Sequence, residues 1–217
     1  MSLLWVALPK GRLFEPAAAL FSRLGSRVVG ELATSRRLLH EDPDAGFGFV
    51  LVKPMDVPIY VEYGAADLGI VGQDALRELG RDVYEPLRLG FGRCRLVVAA
   101  PASLAAEDWS RRPTLRVATR YPRLARQHFL ARGLSVEIVA LAGSVELAPR
   151  AGLADLIVDV ADSGRTLAAN GLREIETILT SQACLIVNRA SHKVRFAEIT
   201  NVLRRIQELP DTETTTD

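Results

Sequence analysis

Residues 155–167, Asp-Leu-Ile-Val-Asp-Val-Ala-Asp-Ser-Gly-Arg-Thr-Leu, constrain what this chain can fold into more than any other stretch. A short β-branched run with almost no polar interruption reads as a buried strand of a parallel sheet. It ends in two carboxylates, Asp159 and Asp162, followed by Ser163-Gly164-Arg165-Thr166 and a helical run toward Asn170-Gly171. Strand, tight loop and helix start therefore follow in order. The loop amides, with the hydroxyls of Ser163 and Thr166, can wrap a phosphate at the positive end of a helix dipole. The carboxylates would repel a bare phosphate. They suit a ligand that also carries sugar hydroxyls or a Mg²⁺ ion, and a phosphorylated ribose meets both demands. An acidic strand end before a capped helix leaves the same trace and is common in α/β proteins.

The rest of the chain supplies the scaffold such a loop requires. Residues 3–8 read as a strand, with Pro9-Lys10-Gly11-Arg12 as the turn into a helix carrying Phe14, Ala17, Ala18, Phe21 and Leu24 at helical spacing. A polar, Arg-rich connection follows, then a strand over 47–53 and a helix with Val57, Tyr60 and Val61, for which Asp56 is the expected cap. A short buried strand over 67–72 leads into a helix over 73–79. Residues 83–100 hold two strand-like stretches with no helix between them. Alternation resumes with a strand over 115–119, a helix over 121–132 and a strand over 136–141. After the loop come two strands, Leu172–Leu179 and Ala183–Val187, and one last helix over about 191–208. The polar tail from Pro210 is expected to be disordered. Such alternation predicts layered, mainly parallel α/β structure. The helix-free stretches are the natural crossings between two lobes: a discontinuous lobe of 1–92 plus 181–217, and an inserted lobe of 93–180. Ligands in such folds lie at the C-terminal ends of strands.

Composition excludes several function classes. With 27 Lys+Arg against 26 Asp+Glu, the chain has no long-range field to favour nucleic acid or an anionic membrane. Any anion site must come from local clustering. No apolar run approaches the ~20 residues of a membrane span, and Met1–Leu8 lacks the basic start of a signal peptide. A soluble cytoplasmic protein is expected. Cys94 and Cys184 lack metal or redox spacing and read as buried free thiols, a disulfide being open only if the fold brings them together. His40, His128 and His192 are scattered without metal-like spacing. No P-loop, nucleophile elbow or H-E-x-x-H occurs. Local basic groups stand in loops after or between strands: Lys10 and Arg12 in the first turn, Arg36 in the Arg-rich connection, and Lys53 before Pro54.

The run SVELAPRAGLADLIVDVADSGRTLAANGL closely resembles the phosphoribosyl-pyrophosphate signature of ATP phosphoribosyltransferases, the first enzymes of histidine biosynthesis. The resemblance extends to ALPKGRLFE, SRRL, VKPMDVPIYVEYGAADLGIVGQDAL, LGFGRCRLVVAAP, VATRYP and ACLIVNRAS. It implies a two-lobed, type II periplasmic-binding-protein-like α/β fold with flanking helices. The reaction it implies is attack by N1 of the adenine of ATP on C1 of phosphoribosyl pyrophosphate, displacing pyrophosphate. Glu146 and Asp159 would then hold the ribose hydroxyls, with Asp162 near the same sugar and metal and Asp159 toward Mg²⁺. Ser163, Gly164, Arg165 and Thr166 would form the 5′-phosphate loop. Arg36, Lys53 and Lys10 would act at the reacting centre; Lys10, Gly11, Arg12, Gly72 and Asp74 would line the ATP side. The family commonly has arginine where this chain has Lys53, replacing a bidentate clamp with a point charge. Arg165 within the loop is also less usual.

This resemblance also implies a homodimer, and, for a chain of the short form, a hetero-oligomer with a histidyl-tRNA-synthetase-like regulatory subunit. No nucleic-acid or membrane partner is expected. A non-catalytic solute binder of the same fold has no need of a sugar clamp beside a phosphate loop. Transferases of the orotate or purine-salvage type have no place for the ALPKGR and VEYGAADLGIVG segments.

Overall fold

The structure is a computed structural model that describes residues 3–33, 35, 37–105, 109 and 114–209. The chain divides into two compact units, one running to Gly92 and resuming at Gln182, the other Arg93–Ser181.

In the first unit, β1 (Leu4–Pro9), α1 (Phe14–Arg23) and a 3-10 turn (Val29–Ala33) precede β2 (Leu39–Asp42), β3 (Phe47–Val52) and α2 (Val57–Glu62). Next come β4 (Leu68–Gly72), α3 (Gln73–Leu79) and β5 (Tyr84–Arg88). The second unit holds β6 (Cys94–Pro101), α4 (Ala102–Ala105), β7 (Leu115–Thr119), α5 (Pro122–Ala131) and β8 (Val136–Ala140). A 3-10 turn (Val145–Leu147), β9 (Leu156–Ala161), α6 (Arg165–Ala169) and β10 (Leu172–Ser181) complete it. The chain returns to the first unit through β11 (Ala183–Val187), α7 (Arg189–Val194) and α8 (Phe196–Gln207).

Each unit has one sheet, ordered β2-β3-β1-β4-β11-β5 in the first and β10-β6-β9-β7-β8 in the second. Both sheets are mixed, with four parallel and five antiparallel pairings among the described residues. The parallel pairs join β3, β1 and β4 in the first unit and β9, β7 and β8 in the second. These strands carry the loops of interest.

Helices cover both faces of each sheet, which is why central strands read as unbroken apolar runs rather than alternating ones. In the first unit α1 (Phe14, Ala17, Phe21) and α8 (Ile199, Val202, Ile206) pack on Val6, Leu8, Phe47 and Phe49. Phe21 meets Phe47 and Phe49 edge-on, with ring centroids 5.2 and 5.5 Å apart. It is fully buried, and its truncation to alanine costs about 3–5 kcal/mol. On the opposite face Val57 and Val61 of α2 and Ala75 of α3 meet Ala7, Val50, Val71 and Ile186. In the second unit Ala125 and Phe129 of α5 cover Val117, Leu156 and Val158. Across that sheet, Val145, Ala148 and Leu167 cover Val97, Ala118, Ile157 and Ala161.

Three local expectations are corrected. The Arg-rich connection contains a strand, β2, with an antiparallel partner in β3. Leu39-His40-Glu41-Asp42 shows no strand periodicity; its ladder with β3 and the Asp42 carboxylate hold it, with Ser26 Oγ donating to Asp42 Oδ2 at 2.7 Å from 16 residues away and the Ala45 amide donating locally to Oδ1 at 3.2 Å. The last helix is two. Arg195 leaves helical geometry at φ −119°, ψ 31°, and its guanidinium donates to Leu3 O at 2.7 Å and to Asp67 Oδ2 at 3.1 Å. Finally, Asp56 stands at the N-cap of α2, but its side chain makes no capping bond. Both cysteines are buried free thiols, and burial pushes the Cys184 thiol upward. The tail from Pro210 lies outside the described residues.

Candidate active site

In the second unit the loop after β9 is built as its sequence suggests. Side chains alternate along a strand. Ile157 and Ala161 join the cluster under Val145 and Leu167, while Leu156 and Val158 join the cluster under α5. Asp159 therefore belongs to the face covered by the Val145–Leu147 turn and α6. It is half-buried, and its Oδ1 accepts from the Val160 amide at 2.8 Å. Asp162, Ser163, Arg165 and Thr166 are exposed. Gly164 sits at φ +73°, in the left-handed region at the N-cap of α6, a backbone state that glycine adopts without strain. The first-turn amides of α6 point out of the helix start. Arg165 Nε donates to Ser163 Oγ at 3.1 Å, so the guanidinium folds back over the loop. The loop thus combines helix-start amides, two hydroxyls and one cation.

Glu146 arrives from the Val145–Leu147 turn and is half-buried. Ser144, which opens that turn, is the one non-glycine residue at positive φ (50°) among the described residues. A serine held there costs backbone energy that the fold must offset. Val145 and Ala148, fully buried against Ile157 and Leu167, hold the turn down. One apolar cluster therefore anchors both the Glu146 turn and the helix that the Ser163–Thr166 loop opens.

The first unit collects its candidate groups at the carboxyl ends of its parallel strands. Pro9 of β1 and Val52 of β3 are register partners, and the Lys10 amide donates to Val52 O at 2.8 Å. Lys10 and Lys53 therefore leave adjacent strands side by side, and both are exposed. Gly11, at φ +82°, turns the chain so that its carbonyl accepts from the Phe14 amide at 2.9 Å. Arg12 is exposed beside it. Gly72 ends β4, the other parallel neighbour of β1, and caps α3. Asp74, in the first turn of α3, is 6 % exposed, and a Cβ built on Gly72 would lie 2.3 Å from its Oδ1. Gln73 is also buried, and its amide donates to Glu85 Oε1 at 2.6 Å. Arg36 lies outside the described residues.

Sequence reasoning passed over Thr119. It is fully buried at the end of β7, where Oγ1 donates to Val158 O at 2.6 Å and accepts from the Tyr121 amide at 2.8 Å. Its signal is a hydroxyl closing an apolar strand next to the loop strand. The scattered histidines have structural partners: His128 Nε2 meets Glu176 Oε1 at 2.6 Å, and His192 packs between Tyr84 and Phe196.

No group of three or more His, Cys, Asp or Glu side chains able to hold a metal occurs among the described residues. A Mg²⁺ ion has no need of one, because it is commonly held by one or two carboxylates plus substrate oxygens. Asp159 at the strand end fits that mode. None of the helices among the described residues is long and apolar enough to cross a membrane.

The comparisons with known proteins agree with this chemistry. A profile of the ATP phosphoribosyltransferase family matches residues 53–208. The ATP phosphoribosyltransferase of Syntrophotalea carbinolica is 47% identical over 205 residues, covering 93% of this chain and 92% of that protein. The enzyme of that name from Moorella thermoacetica is 48% identical over 211 residues, covering 95% and 92%. Among solved structures, a chain of the ATP phosphoribosyl transferase (HisG:HisZ) complex from Thermotoga maritima superposes with a TM-score of 0.82 at 32% identity, covering 95% of this chain and 98% of that one. The periplasmic aliphatic sulphonate binding protein SsuA from Escherichia coli superposes with a TM-score of 0.63 at 15% identity, covering 96% and 68%. That second likeness shows the fold alone: the α/β fold of type II periplasmic binding proteins. The chain belongs to the ATP phosphoribosyltransferase family.

Proposed function

We propose that this chain transfers the 5-phosphoribosyl group of phosphoribosyl pyrophosphate to N1 of the adenine of ATP, releasing pyrophosphate, as the first step of histidine biosynthesis in the cytoplasm. The observation that carries the reading is the second unit's strand-end arrangement. Asp159 and the turn bearing Glu146 share one face of the sheet, and the Ser163–Thr166 loop opens the helix beside them. Carboxylates suit ribose hydroxyls, and helix-start amides with two hydroxyls suit a 5′-phosphate.

The N1 lone pair of adenine forms the new bond to C1, while the electron pair of the C1–O bond leaves with pyrophosphate. Negative charge builds on the departing group. Lys10, Arg12, Arg36 and Lys53 serve to offset it, and losing one such preorganised contact typically costs ~3–4 kcal/mol. Gly72 and Asp74 belong to the ATP side. ATP is attacked at its base and its phosphates stay intact, so a P-loop is not required. Asp159, with Asp162 near it in the chain, would hold Mg²⁺ together with donor oxygens, and the ion would neutralise charge on the pyrophosphate.

The similar chain from Thermotoga maritima is part of a HisG:HisZ complex. That association supports the reading that this chain assembles in a hetero-oligomer with a histidyl-tRNA-synthetase-like regulatory subunit; a homodimeric core is proposed on the family resemblance alone.

A coupled absorbance assay with ATP, phosphoribosyl pyrophosphate and Mg²⁺ tests the activity. Asp159→Ala and Thr166→Ala should each weaken donor binding and lower turnover while the fold is kept. Titration calorimetry giving unchanged donor affinity in both variants would remove this loop from the site.

A further inference from the structure

We propose that Thr119 is a positioning residue for the donor sugar: it holds the peptide unit from which Asp159 projects. The proposal rests on the phosphoribosyl-transfer reading and adds to it a residue that touches no substrate.

The local geometry carries the inference. β7 and β9 run parallel, with Thr119 opposite Val158. Beyond Thr119 the chain turns away into α5, so the backbone of β7 stops supplying partners to β9 there. At that point the Thr119 hydroxyl donates to Val158 O at 2.6 Å. That carbonyl belongs to the same planar peptide as the Asp159 amide. Fixing its oxygen fixes the plane and, with it, the direction in which the Asp159 side chain leaves the strand.

The hydroxyl is itself held. It accepts from the Tyr121 amide at 2.8 Å, and the Thr119 carbonyl accepts from the Leu141 amide at 2.9 Å. By alternation, Thr119 shares the face of Leu115 and Val117, covered by α5, whereas Asp159 belongs to the opposite face. The clamp therefore acts through the sheet from behind and leaves the sugar side open. Thr119 is completely buried, so no water substitutes for its hydroxyl. On the other edge of β9, β6 pairs Asp159 with Val97, so the Thr119 hydroxyl is the hold on the β7 side; without it the Val158 carbonyl loses its partner there and the Val158–Asp159 peptide can tilt about the β6 ladder. A small misplacement of a positioned group is enough to slow a reaction that depends on near-attack geometry.

The test compares three substitutions in the full chain. Thr119→Val keeps the shape and removes the hydroxyl; the KM for phosphoribosyl pyrophosphate should rise about tenfold while the KM for ATP stays within about twofold. Thr119→Ser keeps the hydroxyl and should retain the wild-type donor KM. Asp155→Asn is the control, because Asp155 Oδ2 accepts from the Arg116 amide at 2.8 Å at the other end of the same strand pair. It should lower the melting temperature without raising the donor KM. A wild-type donor KM in Thr119→Val overturns the proposal, as does an equal rise in Asp155→Asn. Should Thr119→Val fail to fold, Thr119→Cys, a weaker donor at the same place, decides: a donor KM above that of Thr119→Ser supports the clamp, and equality overturns it. Wild-type protein with no activity on ATP and phosphoribosyl pyrophosphate would instead overturn the underlying transferase reading. Activity lost in Asp159→Ala but unchanged in Thr119→Val overturns the clamp alone.

Discussion

Gly72→Ala offers the most direct test of how the junction of β4 and α3 in the first unit is packed. The backbone at Gly72 has φ −71° and ψ 140°, which alanine adopts freely. By conformational entropy alone the substitution would stabilise the chain by about 0.4–1 kcal/mol. Space decides otherwise. The new Cβ would lie 2.3 Å from Asp74 Oδ1, against 3.4–4 Å for ordinary contact. Asp74 has only two side-chain torsions and is 6 % exposed, so its carboxylate has little room to swing aside. Overpacking of this kind costs about 1–3 kcal/mol, which leaves a net loss centred on about 1.3 kcal/mol. For a chain of 217 residues that is a fall in melting temperature of about 2–4 °C per kcal/mol. Urea denaturation of Gly72→Ala, Asp74→Ala and the double variant closes a double-mutant cycle. The expected coupling is favourable by about 0.5–3 kcal/mol, because removing the carboxylate relieves the clash. Gly72→Ala as stable as wild type, or single effects that simply add in the double variant, would refute the reasoning.

Other consequences follow from the same geometry. Lys53→Arg should retain activity, since charge is kept and the side chain is exposed, whereas Lys53→Met should lower kcat more than it raises either KM if its charge acts in the transition state; steady-state kinetics separate the two. Burial raises the Asp42 carboxyl, but hydrogen bonds from the Ser26 hydroxyl and the Ala45, Val28 and Arg27 amides outweigh it, and the net position lies below the ordinary 3.8. A depressed folded-state value means its stabilisation is present above pH 3.8 and is lost as pH falls through the lower folded value. Asp42→Asn should accordingly flatten the acid limb of the stability curve, as read by denaturation between pH 5 and 2. The purified chain should be insensitive to histidine, with inhibition restored by the regulatory partner through a separate site; strong inhibition of the chain alone would sink that assignment.

Much of this protein was legible because its signals are local. Strands buried on both faces by helices write continuous apolar runs into the sequence, so the Ile157–Val158 and Phe47–Val52 segments identify themselves without any tertiary knowledge. The loop proposed for the 5′-phosphate is equally local as a piece of structure: strand, carboxylates, glycine and helix start lie within thirteen consecutive residues. The roles proposed for Glu146, Lys10 and Lys53 rest on family resemblance, since no periodicity implies them.

What the tertiary structure alone decided depends on residues far apart in the chain. β2 is a strand because β3 offers it a ladder and Ser26 a buried partner for Asp42, not because Leu39–Asp42 prefers extended backbone. The last helix breaks at Arg195, with no glycine or proline to announce it, where the guanidinium finds Asp67 across 128 residues. The left-handed serine at Ser144 is held by neighbours whose burial comes from β9. The hydroxyl of Thr119 finds its acceptor 39 residues away, on a strand paired only once the sheet is assembled. Local sequence sets propensity and period. Which buried polar groups meet is set by topology, because a hydrogen bond inside a core is worth making only where the fold has already excluded water.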